Sequence, residues 1–253
     1  MTLEWWQYLL LALAGAAAGF IDAIAGGGGL ITVPALLWAG LPPQMTLGTN
    51  KLQTTCGTAL AVVRFTRAGL IAWRSLRIAV AVTFVAAALG TWAVAVADPA
   101  MLRRVVPVLL VVVALYTALN RSLGERPRAA RISIGAFAII FGTVLGFYDG
   151  FFGPGVGSFW MLACVLTLGL DLRAAAGTTK ALNLTSNVAS LITFAFAGCL
   201  RLDVGAVMIA GQLAGARAGS GLVITHGGRV IRPLFIGTAL ALAFRLAWQA
   251  FHH

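Results

Sequence analysis

Residues 15–28 read Gly15-xxx-Gly19-Phe20-x-Asp22-xxx-Gly26-x-Gly28, and 127 positions later the pattern returns as Gly142-xxx-Gly146-Phe147-x-Asp149-xxx-Gly153-x-Gly155. Gly48-Thr49-x-Lys51 returns as Gly177-Thr178-x-Lys180, Gly69 as Gly198 and Gly90 as Gly219. These later pairs are shifted by 129, which places a two-residue insertion near Trp160. An internal repeat of this length means one unit present twice. The repeats run over 1–122 and 130–253 of a single transmembrane domain, 1–253.

The class follows from composition. Of 253 residues, 60% are hydrophobic and 10% charged, against about 25% charged in ordinary soluble domains. A soluble fold of this size cannot hide that much apolar surface. The net charge of +11 would suggest nucleic acid in a soluble protein. In a membrane protein it means arginine in cytoplasmic loops, and no nucleic-acid partner. Of the 18 basic residues, 16 are arginine; the two lysines, Lys51 and Lys180, fall on one repeat-equivalent position.

Each repeat reads as the same series. A long apolar helix (about 5–24 and 132–151) precedes a glycine cluster (Gly26–Gly29, and Gly153-Pro154-Gly155-Val156-Gly157). A short apolar piece (30–39 and 158–169) precedes the lysine segment. Two long helices follow, about 74–97 and 101–119, then 204–224 and 230–250. A ten-residue helix rises about 15 Å, half of a hydrocarbon core of about 30 Å. Lys51 to Arg64 is similarly short. The expectation is an all-α polytopic membrane protein of two inverted repeats. Each repeat has three spanning helices and a Gly-rich re-entrant helical hairpin turning at Leu41-Pro42-Pro43, about eight transmembrane segments in all.

Loop charge supports inversion. Arg64, Arg67, Arg74 and Arg77 lie on one side, as do Arg121, Arg126, Arg128 and Arg131. In the second repeat Arg201 is cancelled by Asp203, while Arg229, Arg232 and His226 crowd the next loop. Both termini then face away from the cytoplasm. The segment from Trp5 to Ala25 has no basic leader and reads as a retained first helix.

Inverted repeats with broken helices place a substrate at the repeat interface. Helix N-termini at Gly48-Thr49-Asn50 and Gly177-Thr178-Thr179 would offer free N–H groups to an anion. Thr49, Asn50, Thr178 and Thr179 add side-chain donors, and Lys51 and Lys180 add two charges. Gly27, Gly28 and Gly155 bring close backbone, either for packing or as part of the anion path. Asn183, Asn187 and Gln212 are further lining candidates. The competing reading is a structural lock, Lys51 with Asp22 and Lys180 with Asp149. Asp22 and Asp149 could also carry a coupling proton or cap the glycine turns. Arg217, mid-helix, would pair with an Asp, snorkel, or guard the route. The stripes Gly142-xxx-Gly146-xxx-Gly150 and Gly211-xxx-Gly215-xxx-Gly219 serve packing within the monomer, or second a homodimer contact.

Nothing points to catalysis. Cys56, Cys164 and Cys199 lack metal-ligand spacing, and no GxSxG, Walker A or GxGxxG is present, so neither an enzyme, a metal nor a cofactor is expected. An intramembrane enzyme or biogenesis factor would need a nucleophile, ligands or a soluble domain.

The run Gly19-Phe20-Ile21-Asp22-Ala23-Ile24-Ala25-Gly26-Gly27-Gly28-Gly29-Leu30-Ile31-Thr32-Val33-Pro34, with Gly48-Thr49-Asn50-Lys51-Leu52-Gln53, resembles the TauE/SafE sulfite exporter family. Thr225-His226-Gly227-Gly228-Arg229-Val230-Ile231-Arg232-Pro233-Leu234 is similar to its YfcA-like branch. The resemblance covers essentially the whole chain. It implies a bacterial inner-membrane permease for small sulfur-containing anions such as sulfite, sulfoacetate or other organosulfonates, embedded in the lipid bilayer. The expected mechanism is export by alternating access, which as uniport would gain about 2.3 kcal/mol per charge per 100 mV. The runner-up is a passive anion or small-solute channel with opposed half-helices.

Overall fold

A computed structural model describes residues 3–106, 108, 109 and 129–227. The expected third helix of the second repeat, 230–250, and most of that of the first, 101–119, lie outside these residues. So do Arg121, Arg126, Arg128, Arg229, Arg232 and the segment 228–234. Among the described residues the chain is helical, without strands. The helices are α1 (Trp5–Ala25), α2 (Gly29–Trp38), α3 (Pro43–Arg67), α4 (Trp73–Ala95), α5 (Ile134–Phe151), α6 (Val156–Thr167), α7 (Leu172–Phe196) and α8 (Leu202–His226). Residues 99–106 are also helical. By length and composition α1, α4, α5 and α8 can each cross a membrane, and α2 and α6 are short and apolar. This is a multi-pass membrane protein.

The helix ends follow local chemistry. Glu4 and Gln7 form a capping box at the start of α1. Pro43 opens α3, where its missing N–H costs nothing, and Arg64 and Arg67 close it against the negative end of the dipole. The Asp171 side chain accepts from the N–H groups of Arg173 at 2.8 Å and Ala174 at 3.0 Å at the start of α7. Repeat-related glycines make the same turns. Gly26 and Gly153, Gly40 and Gly169, and Gly69 and Gly198 all have positive φ.

One expectation is corrected here. The lysine helices do not begin at Gly48 and Gly177 but at Pro43 and Leu172, and each has 25 residues. At 1.5 Å per residue they extend about 37 Å, so the lysine segment is no half-membrane piece. Their polar residues made them look short. Those side chains bond back into their own helix, Thr55 Oγ1 to the Lys51 carbonyl at 2.6 Å and Thr185 Oγ1 to that of Ala181 at 2.9 Å, so the helix continues through them. The hairpins therefore have unequal arms. α2 doubles back along α1, with Gly28 against Ala18 and Asp22 and Leu36 clustered with Leu11.

Packing exchanges helices between repeats. α1 lies parallel to α8, with Gly211, Gly215 and Gly219 against the carbonyls of Ala12, Ala16 and Phe20. α5 lies parallel to α4, with Gly142 and Gly146 against Val82 and Thr83 and Gly150 against Ala87. Both glycine stripes are thus used within the monomer. α3 and α7 run antiparallel. Gly48 abuts Cys199, Gly177 abuts Leu70, and Asn187 Nδ2 donates to Thr58 Oγ1 at 3.4 Å. Trp5, Trp6 and Trp73 are exposed at helix starts, as an interfacial belt requires. Arg201 pairs with Asp203 at 2.7 Å on the surface, where it adds little stability.

The close helix contacts are testable. A Cβ on Gly150 would overlap the Ala87 carbonyl oxygen, whereas at Gly135 it would meet only Ser133 Oγ at 3.9 Å. Gly150→Ala should cost about 1–3 kcal/mol by forcing α4 and α5 apart. Gly135→Ala should be neutral or gain up to about 1 kcal/mol from helix propensity. Thermal melts in detergent read the difference, and equal Tm values would refute the packing.

Candidate functional site

The two glycine breaks meet. Gly26 sits against the backbone of Gly157, Gly29 sits against Pro154, and Ser158 Oγ donates to the Gly26 carbonyl at 3.0 Å. Asp22, one turn before the end of α1, accepts from Gly27 N–H at 3.3 Å and so caps its own break. Asp149 holds the equivalent place on α5. Each faces a lysine, but of the other repeat. Lys51 Nζ lies 2.6 Å from Asp149 Oδ1, and Lys180 Nζ lies 2.8 Å from Asp22 Oδ2.

This corrects the pairing within each copy on which the competing lock reading rested. The repeat gives equivalences along the chain, but the contact is set by which break abuts which lysine helix, and the breaks are exchanged. All four charged residues are at most 9% exposed. Opposite charges buried this way are tolerable only as pairs, and removing one partner strands the other.

The two pairs are built differently. Asp149 also accepts from Ser186 Oγ and from Asn183 Nδ2 at 3.4 Å, and Lys51 also donates to Asn187 Oδ1 at 3.0 Å. Gly153 admits the lysine, since a Cβ there would stand 3.1 Å from Lys51 Nζ. Among the described residues Lys180 bonds only Asp22, whose side chain is 13% exposed against 2% for Asp149.

Between the breaks is a cavity of about 20 Å³, bordered by Asp22, Asp149, Lys51, Asn50, Asn183 and Asn187, with backbone from Gly27, Gly155 and their neighbours. It has room for about one water. The N-termini that reach it belong to the short helices α2 and α6, not to the lysine helices, and their dipoles favour negative charge.

The other sequence candidates are distributed around this centre. Asn50 Oδ1 accepts from Thr32 Oγ1 at 2.5 Å and Gln53 Nε2 at 3.0 Å. Thr49 points elsewhere and accepts the Arg201 N–H at 3.0 Å, pinning the turn between α7 and α8. Thr178 and Thr179 are buried. Gly28 precedes α2 and its carbonyl accepts from Thr32 Oγ1 at 3.2 Å. Gln212 is buried against Gly57 of α3, its amide without a partner among the described residues. Arg217 is exposed, and among the described residues its side chain has no partner, while its carbonyl accepts from Arg64 and from Ser220 Oγ at 3.4 Å. The structure leaves it outside the cluster. Thr54 and Thr58 belong to the site but carry no signal alone. Stepping back 129 positions from Asn183 and Asn187 would have found both.

Apolar spans around a buried, charge-paired polar centre, with broken helices meeting at it, define a membrane transporter rather than an enzyme. The sequence profile of the family described as sulfite exporter TauE/SafE matches residues 11–246. The chain belongs to that family. It is similar to a "Probable membrane transporter protein" of Haemophilus influenzae, 41% identical over 240 residues covering 95% of this chain and 94% of the relative. It is also 41% identical over 233 residues to "Probable membrane transporter protein YfcA" of Escherichia coli K12, covering 92% and 87%. A third relative, "Probable membrane transporter protein ORF9" of a Sinorhizobium species, is 39% identical over 235 residues, covering 93% and 90%. No solved structure matches.

Proposed function

We propose that this protein is a carrier that exports small sulfur-containing anions (sulfite, sulfoacetate or other organosulfonates) from the bacterial cytoplasm across the inner membrane. The anion binds at the meeting of the glycine breaks, where Lys51 and Lys180 supply the charge and Asn50, Asn183 and Asn187 supply polar contacts. Thr49, Thr178, Thr179 and Gln212 support the helices around it. The observation that carries the reading is the buried Lys–Asp cluster formed by both repeats at once, at 2.6 and 2.8 Å. Ionisable groups are costly in a membrane and are retained there for function. The family's description as a sulfite exporter supports the substrate class.

The transport cycle is alternating access between two inverted repeats, each of three spanning helices and a broken hairpin, with both termini periplasmic. Antiparallel α3 and α7 and the exchanged pairs α1–α8 and α4–α5 fit a two-fold axis in the membrane plane, as such repeats require. The 20 Å³ cavity favours a carrier over an open pore.

Counterflow tests this. Proteoliposomes holding unlabelled sulfite should take up labelled sulfite saturably. Lys180→Ala should reduce that flux about a hundredfold, as loss of a buried charge contact does. Linear flux without counterflow would assign a passive channel instead.

A further inference from the structure

We infer that the carrier moves one proton with each monovalent anion, with Asp22 as the proton-exchanging carboxylate and Lys180 as the ammonium that takes the anion. This rests on the anion site proposed above and adds its coupling ion.

The cluster of two lysines and two aspartates is formally neutral. Its cavity of about 20 Å³ holds about one water, so an anion cannot lodge beside the pairs. It must displace a carboxylate from an ammonium group. A displaced aspartate left ionised would put the buried cluster at −1, which is the costly condition. Protonation of that aspartate restores neutrality. The proton comes from water on the side the anion enters, sits on the Asp22 carboxylate while the anion sits on Lys180, and leaves with the anion as the Lys180–Asp22 pair re-forms. No covalent bond other than O–H is made or broken.

The contacts select the pair. Asp149 is held by Lys51, Ser186 and Asn183, and Lys51 by Asn187 as well. Among the described residues Asp22 has only Lys180 and the Gly27 N–H, and its side chain is the more exposed one. It also stands between the cavity and Lys180, which does not border that space. Moving Asp22 aside uncovers Lys180. The charged groups facing Asp22 among the described residues are Lys180 from α7 and, across the cavity, Lys51 from α3 and Asp149 from α5. α2 has no ionisable side chain, and α6 has only the Cys164 thiol. On α8, Asp203 is engaged with Tyr8 and Arg201, and Arg217 and His226 are exposed.

The empty and the loaded cluster are then both neutral. Transport is electroneutral, and direction follows the product of anion and proton gradients rather than the membrane potential. Export is then symport driven by the anion's own outward gradient, and it proceeds only while that gradient exceeds the inward proton gradient; a small outward anion gradient against an alkaline interior gives uptake instead.

Full-length protein in proteoliposomes decides this, with sulfite and methanesulfonate as probes. Methanesulfonate stays ionised, so any pH effect on it belongs to the protein. An inside-alkaline gradient of one pH unit should accumulate methanesulfonate about tenfold, since one unit is worth a factor of ten on one proton. A valinomycin-set potential of about 60 mV, also worth about tenfold on one charge, should leave it unchanged. Methanesulfonate affinity, read by thermal shift in detergent, should fall by up to about tenfold per unit rise in pH, and be flat in Asp22→Asn. Accumulation that follows potential and ignores the pH gradient, or a pH-dependent affinity that survives in Asp22→Asn, would overturn the coupling while leaving the anion site standing. Failure of both anions to bind or move in the wild type would overturn the site itself.

Discussion

Lys51→Ala is expected to destabilise the protein by roughly 3–5 kcal/mol, and Lys51→Met combined with Asp149→Asn to recover most of that loss. The reason is an asymmetry of buried charge. In the wild type Lys51 and Asp149 are both 2% exposed at the side chain and 2.6 Å apart. Removing only the lysine leaves a carboxylate with Ser186 and Asn183 but no counter-charge. Removing both charges leaves a polar amide that still accepts from Ser186, beside an apolar chain of similar length. In a chain of this size the single change should lower Tm by roughly 10 °C. Melts of wild type, Lys51→Ala and the double variant in detergent give the comparison. A single variant within 1 kcal/mol of wild type, or a double variant no better than the single, would contradict a buried pair across the repeats.

Gly26→Ala should be as damaging for a different reason. Gly26 has φ +69°, a region an L residue enters only with strain. Its added Cβ would also stand 2.5 Å from Gly157 Cα and 2.6 Å from the Gly157 carbonyl carbon, which are backbone atoms held by the opposing break. Strain and overlap each cost about 1–3 kcal/mol, and here they add. Two companions separate them. Gly157→Ala carries the clash, 2.6 Å from Gly26 Cα, without a positive φ; Gly27→Ala carries the positive φ, +137°, with nothing nearer than Leu30 Cδ1 at 3.8 Å. Folded yield and Tm should fall for all three, most for Gly26→Ala. A Gly157→Ala protein with native Tm would mean the breaks do not touch.

The repeat made much of this legible. Gly26, Asp22 and Lys51 and their partners at 153, 149 and 180 stand out because they recur, and all lie at the centre. The apolar helices α1, α4, α5 and α8 were legible from hydropathy. What the sequence could not convey was the exchange between repeats. Lys51 and Asp22 are near in the chain, yet α1 leaves its own repeat to pack on α8, so Asp22 meets Lys180. The extent of α3 was hidden for a local reason: a helix rich in Thr, Asn and Gln reads as a break until its side chains are seen bonding to its own carbonyls. Thr54 and Thr58 were hidden because threonine is an ordinary helix residue, and only their alignment with Asn183 and Asn187 marks them.

As proposed above, the Lys180–Asp22 pair is the anion's place rather than a lock that merely holds the repeats together. Sulfite counterflow through the double variant Lys180→Met with Asp22→Asn tests it most directly. With both charges removed there is no stranded ion, so the variant should fold with a near-native Tm and yet transport no sulfite. Wild-type flux through that folded variant, with only the Lys51–Asp149 pair left, would show that the anion does not bind at Lys180.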